Sequence, residues 1–142
     1  MNSTEAAPPP KKVRVDGNMT GLSGELFVAA ELLKRGLQTS ITFGNAKQID
    51  LFAHNSHTGQ NFTIQVKALR AKNYFPIRLI HPDHIYVFVV LNKPGEAVQY
   101  FIVPGKRFVD EPVRFAYQDP KFPGIYAKVL AEFEGAWSTF GC

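Results

Sequence analysis

Three polar side chains stand in two strand-like stretches whose other residues are largely apolar. Asp50 lies in the stretch that starts at residue 48, and Gln65 and Lys67 stand two residues apart between residues 62 and 69. Asp and Gln side chains offer oxygen ligands to divalent cations, which lower the pKa of a bound water and hold phosphate oxygens. Residues two apart on a strand share a face, so the Lys67 ammonium would orient the attacking water or stabilise transition-state charge. These residue types and spacings indicate metal-dependent hydrolysis of a phosphodiester bond.

A helix predicted over residues 20–35 contributes a further carboxylate, that of Glu25. With about 3.6 residues per turn, Glu25 falls inside the apolar arc of this helix, between Ala29 and Leu32. A carboxylate there is costly unless a cation or a metal binds it, so Glu25 is a candidate ligand, directly or through water; an edge position that reaches water is the alternative. Gly21 and Gly24 would let the first turns approach another backbone closely. The same arc, which we expect to face the core, contains Leu22, Leu26 and Leu33.

Apolar runs, alternating or continuous, predict the strands of a sheet. The predicted strands are 37–43, Gln48–Ala53, Phe62–Leu69, His84–Leu91 and Val98–Val103. A short helical turn is expected around Lys106–Asp110, and Ile125–Phe140 is expected to be helical in whole or in part. This order predicts an α/β fold, with a mixed central sheet of about five strands and flanking helices. Residues 1–17 are polar and proline-rich, so we expect a flexible basic N-terminal arm followed by a single domain over residues 18–142.

The composition bounds the class of protein. Hydrophobic residues make up 45% of the chain and charged residues 20%, which are the values of a globular domain. The one cysteine, Cys142, excludes an intrachain disulfide and a Cys-rich zinc site. Because no secretory signal or membrane-length apolar run appears, we expect a cytoplasmic protein. The 12 Phe and 5 Tyr exceed the needs of a core of this size, so some of them are expected to line a groove or a subunit interface.

Basic residues concentrate around the polar strands. The net charge is +4, and Asp50 is the only acidic residue between Lys47 and Arg78. A local positive field favours a polyanionic partner, because neutralised phosphates release counterions, although a solvated basic surface has the same composition. Candidate nucleic-acid contacts are Lys47, Arg70, Lys72, Tyr74 and Arg78, with Tyr74 or the neighbouring Phe75 available to stack on a base.

In this order and on these elements, the residues resemble the PD-(D/E)xK nuclease superfamily, and within it the restriction-endonuclease-like and Holliday-junction-resolvase-like group. The resemblance is carried by the Gly-x-x-Gly-Glu motif at 21–25, by Asp50, and by the Gln-Val-Lys triplet at 65–67, and it spans most of residues 20–140. It implies a restriction-endonuclease-like fold, Mg²⁺ or Mn²⁺ as cofactor, and double-stranded or branched DNA as substrate. It also implies that Glu25, Asp50 and Gln65 surround the metal and that Lys67 is the catalytic cation. A homodimer would supply the two sites that cutting both strands requires.

Two departures from the family pattern leave other functions open. No proline precedes Asp50, and Gln65 replaces the commoner acid, as in the Mrr-like branch. Since a neutral amide binds a hard cation more weakly than a carboxylate, the site either depends on Glu25 for charge or has weak or no catalysis. The alternatives are therefore a catalytically weak or inactive nucleic-acid-binding module on the same fold, and a protein-interaction domain.

The four histidines form two pairs with the spacing of zinc ligands, His54-x-x-His57 and His81-x-x-His84. Neither pair falls on a firmly predicted helix, and no cysteines accompany them, so we interpret them as turn and surface histidines. His54 shares the strand alternation of Asp50, which would allow it to contact a phosphate near the site.

Overall fold

The computed structural model describes residues 17–43 and 49–142. Its helices and strands are α1 Gly17–Lys34, β1 Gln38–Ile41, β2 Leu51–His54, β3 Asn61–Leu69, β4 Tyr74–Pro76, β5 Ile85–Val90, β6 Gln99–Pro104, α2 Gly105–Asp110, α3 Pro112–Phe115 and β7 Gly124–Tyr126, followed by two 3₁₀ helices, Ala127–Phe133 and Trp137–Phe140. The first helix begins at Gly17, three residues before its predicted start, so Gly17 is not part of an arm. The remainder of the predicted arm, 1–16, and the predicted strand start at Gln48 lie outside the described residues.

Within the described residues, the central sheet has five strands in the order β1-β2-β3-β5-β6. Strands β3 and β5 run parallel, and every other neighbouring pair in this sheet is antiparallel. The predicted α/β fold with a mixed sheet of about five strands and flanking helices is therefore confirmed. Strand β5 is buried over all but its first residue, as expected for a continuous apolar strand that is covered on both faces.

Two apolar cores lie on the two faces of this sheet. One core joins α1 and the second 3₁₀ helix to the face of β3 that carries Ile64 and Val66. The other core is rich in aromatic residues and contains side chains from α2, α3, β7 and the first 3₁₀ helix, packed on the face of β5 that carries Tyr86 and Phe88. Eight of the 17 Phe and Tyr residues lie in this second core, whereas five are exposed, namely Phe27, Phe43, Phe52, Phe122 and Tyr126.

The orientation of α1 differs from the prediction. Its buried residues are Gly24, Glu25, Val28, Ala29 and Leu32, whereas the predicted core residues Leu22, Leu26 and Leu33 are 44%, 49% and 56% exposed. The helix packs through its small side chains, and a Cβ atom on Gly24 would lie 2.6 Å from the Cβ of Ala68. The close approach predicted for the two glycines therefore occurs at Gly24 alone, because a Cβ atom on Gly21 would have no atom within 4 Å.

The region after β3 and the C-terminal region contain elements that the sequence analysis missed. Strand β4 lies in a stretch predicted to be a connection, and it pairs antiparallel with β7 in a separate two-stranded sheet. The prediction that Ile125–Phe140 is helical in whole or in part is confirmed in part, because the chain there forms the end of β7 and then two 3₁₀ helices. Gly135 separates the two 3₁₀ helices with φ of 65°, which ends the first of them. Within the ranges described, no helix combines the length and apolar character needed to span a bilayer.

Candidate functional site

Asp50, Gln65 and Lys67 lie on one face of the sheet and line one cavity of about 470 Å³. The pairing of β2 with β3 sets Leu51 opposite Ile64, so the preceding Asp50 stands opposite Gln65, and Lys67 follows two residues later on the same face. The rest of the cavity is formed by the end of β4 and the segment between β4 and β5, namely Pro76, Ile77, Arg78, Leu79 and His81.

The Asp50 carboxylate is fixed by the backbone of β3. Its Oδ2 accepts a hydrogen bond of 2.7 Å from the backbone N–H of Val66, and the Asp50 N–H donates to the carbonyl of Ile64 at 3.0 Å. On the other side, the carbonyl of Asp50 accepts hydrogen bonds from the backbone N–H and the hydroxyl of Thr42. The position of this carboxylate is therefore set by the neighbouring strands.

Gln65 is 8% exposed, and its amide nitrogen has two neighbours in and beside β5. Nε2 lies 2.9 Å from Nδ1 of His84 and donates to the hydroxyl of Tyr86 at 3.3 Å. In the described part of the chain, no buried side-chain oxygen lacks a hydrogen-bond partner, and Oε1 takes part in neither of these contacts. The carbonyl oxygen of Gln65 is therefore accessible, and the residue is among those that line the cavity.

The turn that carries His81 and His84 forms the back of the site. The two imidazole rings lie 4.6 Å apart between centroids, and the His81 N–H donates to the Tyr86 hydroxyl at 2.8 Å. Burial is the main cause that lowers the pKa of His84, the neighbouring His81 lowers it further, and Asp83 acts in the opposite direction. His84 is thus held neutral at neutral pH, which suits an Nδ1 that accepts a hydrogen bond.

Neither histidine was predicted to belong to the site, because both were expected to be turn and surface residues. The available signal was the alternation of residues 84, 86 and 88, which places His84 and Tyr86 on one face of a strand. The pairing of Gln65 with Tyr86 across the parallel strands β3 and β5 completes the arrangement, and register of this kind is not visible in a single sequence.

Among the described residues, two cationic side chains line the cavity without a hydrogen-bond or ion-pair partner. Lys67 and Arg78 both line it, and neither makes a side-chain hydrogen bond or an ion pair in the ranges described. With Asp50 as the acidic group among the lining residues, the cavity has a net positive charge. An unpaired ammonium and guanidinium beside a carboxylate form a suitable environment for a phosphate group.

Glu25 is buried, as its place in the helical arc predicts, but the described residues that line the cavity do not include it. The adjacent Gly24 packs against Val66 and Ala68, and these side chains point to the face of β3 opposite to Gln65 and Lys67. Glu25 therefore belongs to the helix that covers the other face of the sheet. Its function as a metal ligand stays a prediction.

The predicted nucleic-acid contacts separate into different places. Arg78 lines the cavity, whereas Arg70 and Lys72 are exposed beyond the end of β3, and Lys47 lies outside the described residues. The Tyr74 ring packs against Tyr126 at 4.8 Å. Tyr74 also donates a hydrogen bond to the carbonyl of Phe122, and it lines a separate cavity of about 480 Å³. Phe75 is 1% exposed and cannot stack on a base.

The oxygen donors of Asp50 and Gln65 are of the type that binds Mg²⁺ or Mn²⁺. The described residues contain no group of three His, Cys, Asp or Glu side chains placed to hold a metal ion. One carboxylate oxygen and one amide oxygen in an open cavity suit Mg²⁺, which keeps several waters and takes further ligands from substrate phosphates. His54 instead pairs through Nδ1 with Oδ1 of Asn61 at 2.7 Å.

No protein-family model and no curated protein matches the chain. Among solved structures, the chain is similar to the bacterial homing endonuclease I-Ssp6803I, with 17% sequence identity and a TM-score of 0.47. The likeness covers 66% of this chain and 69% of the homing endonuclease chain. A TM-score in this range supports no inference about the activity of this chain.

Proposed function

We propose that this protein is a metal-dependent endonuclease that hydrolyses phosphodiester bonds of DNA. The observation that carries the proposal is the presence of the Asp50 carboxylate, the Gln65 carbonyl oxygen and the unpaired Lys67 ammonium in one cavity. Two oxygen ligands and a cation on one face of a sheet supply the minimum that phosphodiester hydrolysis requires of a protein.

In this proposal each side chain has a separate task. A bound Mg²⁺ or Mn²⁺, held by Asp50 and by Oε1 of Gln65, would acidify the attacking water and offset phosphate charge. Lys67 would donate hydrogen bonds to that water and to a non-bridging phosphate oxygen. Arg78 would bind the same or an adjacent phosphate with its planar fork of donors.

The test is cleavage of supercoiled plasmid and of a branched DNA in the presence of Mg²⁺ or Mn²⁺. Asp50→Asn keeps an oxygen that can accept from Val66 and removes the charge, and Lys67→Met keeps the length of the side chain and removes the ammonium. We expect both variants to lose at least about 100-fold in rate, within the range seen when one preorganised group is removed. Lys93→Met, at an exposed lysine of the β5–β6 turn, is the matched control and should retain the wild-type rate. Unchanged cleavage by Asp50→Asn and Lys67→Met would show that the cutting site lies elsewhere.

A nucleic-acid-binding module without catalysis is the second candidate function. It is favoured by the placement of Glu25 outside the cavity lining and by the neutral amide at Gln65, which leave Asp50 as the one carboxylate on the cavity wall within the described residues. This alternative predicts DNA affinity that falls with salt, with a slope that decreases by about one when Arg78→Met removes a phosphate contact. Binding with this salt dependence, but no cleavage with either metal, would favour the module over the enzyme.

We also propose that two copies of the chain associate through α1. The exposed apolar side chains Met19, Leu22, Leu26 and Leu33 form an uncharged stripe along this helix, at helical spacings of three, four and seven residues. A stripe without charges is complementary to itself, as a two-fold contact requires, and two sites in one dimer would allow both DNA strands to be cut. Light scattering after size exclusion should give twice the chain mass for the wild type and for Val113→Lys, a control at a 92% exposed residue. It should give one chain mass for Leu26→Lys, and a monomeric wild type would refute the dimer.

A further inference from the structure

We propose that His84 is a positioning residue, which holds the Gln65 amide in the orientation that presents Oε1 to the cavity. The inference rests on the proposed function, because it assigns a task to a residue that supports a candidate metal ligand. It concerns a problem that arises whenever a glutamine is a ligand of a cation.

A glutamine side chain can present either its oxygen or its NH₂ group to a given neighbour, because the two ends differ little in shape. Only the oxygen can bind a cation, and the NH₂ group in its place would repel one. A glutamine ligand therefore needs a partner that accepts a hydrogen bond from Nε2. His84 supplies such an acceptor, with Nδ1 at 2.9 Å from Nε2.

The Tyr86 hydroxyl supports the same orientation. Its oxygen lies 3.3 Å from Nε2 of Gln65 and accepts a hydrogen bond from the His81 N–H at 2.8 Å. The Gln65 amide and the His81 backbone N–H thus both donate to the hydroxyl oxygen of Tyr86. The side of Gln65 that faces His84 and Tyr86 is thus arranged for the NH₂ end of the amide.

The position of His84 is itself fixed by the fold. Its N–H donates to the carbonyl of His81 at 3.1 Å, and its own carbonyl accepts from the N–H of Gly105 at 2.7 Å. A Cβ atom on Gly105 would lie 2.1 Å from the carbonyl oxygen of His81, so glycine at the start of α2 is what allows this approach. The imidazole that contacts Gln65 is consequently carried by a turn that cannot move freely.

This arrangement makes a distinctive prediction about residue 65. A carboxylate has an oxygen at both ends, so a glutamate there needs no partner to orient it. Loss of the His84 acceptor should therefore weaken metal binding when residue 65 is glutamine and leave it nearly unchanged when residue 65 is glutamate. A purely structural role of His84 would weaken binding equally in both cases, because the turn would be damaged in both.

The first experiment measures Mn²⁺ affinity of the full chain by calorimetry, without DNA. His84→Phe keeps a ring against His81 and removes Nδ1, whereas His84→Asn offers an oxygen near the place of Nδ1. With Gln65 present, we expect His84→Phe to bind Mn²⁺ about 10-fold more weakly and His84→Asn to restore most of the affinity. In the Gln65→Glu background, His84→Phe should change the affinity less than about twofold. An equal loss in both backgrounds, or no loss beside Gln65, would overturn the inference.

The second experiment does not depend on metal. Nitrogen NMR of the metal-free protein should show His84 with its proton on Nε2 and a bare Nδ1. The Gln65 NH₂ resonances, assigned through their absence in Gln65→Glu, should shift in His84→Phe and less so in His84→Asn. A proton on Nδ1 would mean that His84 donates to Oε1, with the amide turned the opposite way, and would refute the inference. If the wild type binds no Mn²⁺, the proposed enzyme function fails, and these resonances alone decide the role of His84.

Discussion

The backbone N–H of Val66 donates a hydrogen bond to Oδ2 of Asp50 at 2.7 Å, just before β2 begins to pair with β3. The strand that carries Gln65 and Lys67 thus also orients the Asp50 carboxylate. The distance between the two candidate oxygen ligands is therefore set by the pairing of two strands and not by a loop. Rigid positioning of this kind favours a binding site, because little ordering is left to the moment of binding.

Replacement of Asp50 should separate its structural role from its chemical one. Asp50→Ala leaves the Val66 N–H without its acceptor, and we expect a loss of about 1–2 kcal/mol in the free energy of unfolding. Asp50→Asn offers an oxygen in the same place, so its free energy of unfolding should fall clearly less. Urea unfolding of the two variants beside the wild type makes the comparison. An alanine variant as stable as the asparagine variant would mean that the Val66 hydrogen bond contributes nothing measurable.

Gln65→Glu should strengthen metal binding and weaken the metal-free fold. A carboxylate is a better ligand for a hard cation than an amide, so we expect Mn²⁺ affinity to rise by about 10-fold. Without metal, the new carboxylate would be largely buried near His84, and its desolvation should lower the melting temperature. Thermal unfolding with and without excess Mn²⁺ should then show a larger metal-induced rise for Gln65→Glu than for the wild type. An equal rise in the two proteins would argue against residue 65 as a ligand.

The strands were predictable because their physical signal is local. Alternation along 62–69 correctly placed Gln65 and Lys67 on one face, and the continuous apolar run near 85–90 correctly indicated a strand covered on both sides. The match between Gln65 and Tyr86 was not predictable, because it depends on the register of two strands that are distant in the sequence. The position of His84 next to Gln65 follows from the same register, so it was not predictable either.

The orientation of α1 shows a second limit of sequence analysis. This helix has apolar residues around most of its circumference, so hydrophobicity alone could not choose between the leucine side and the small-residue side. The helix packs on the sheet through the side that carries Gly24 and Ala29, where it can approach β3 most closely. The same packing determined the place of Glu25, for which the sequence left open burial or an edge position and could not assign a face of the sheet; the residue is buried.

Gly24→Ala should test this close approach. The added methyl group would lie 2.6 Å from the Cβ of Ala68, so the helix or β3 must shift, at an expected cost of about 1–3 kcal/mol. Gly21→Ala is the matched control, because its methyl group would meet no atom within 4 Å and should stabilise the helix by up to about 1 kcal/mol. Chemical unfolding of both variants provides the measurement. If Gly24→Ala were as stable as Gly21→Ala, the helix would not depend on a glycine at its contact with β3.

Tyr100 should control part of the stability at alkaline pH. Burial, and next the charge of Glu31, raise the pKa of its hydroxyl to about 12, and its ring packs on Trp137 at 5.1 Å. Above pH 10 the folded state therefore keeps the Tyr100 proton, whereas the unfolded chain begins to lose it. The contribution of Tyr100 to the free energy of unfolding is thus complete below pH 10 and declines as the pH rises toward 12. Urea unfolding at a series of pH values should show a steeper alkaline decline for the wild type than for Tyr100→Phe. If the free energy of unfolding declined equally with pH in the two proteins, ionisation of Tyr100 would not be the cause of the decline.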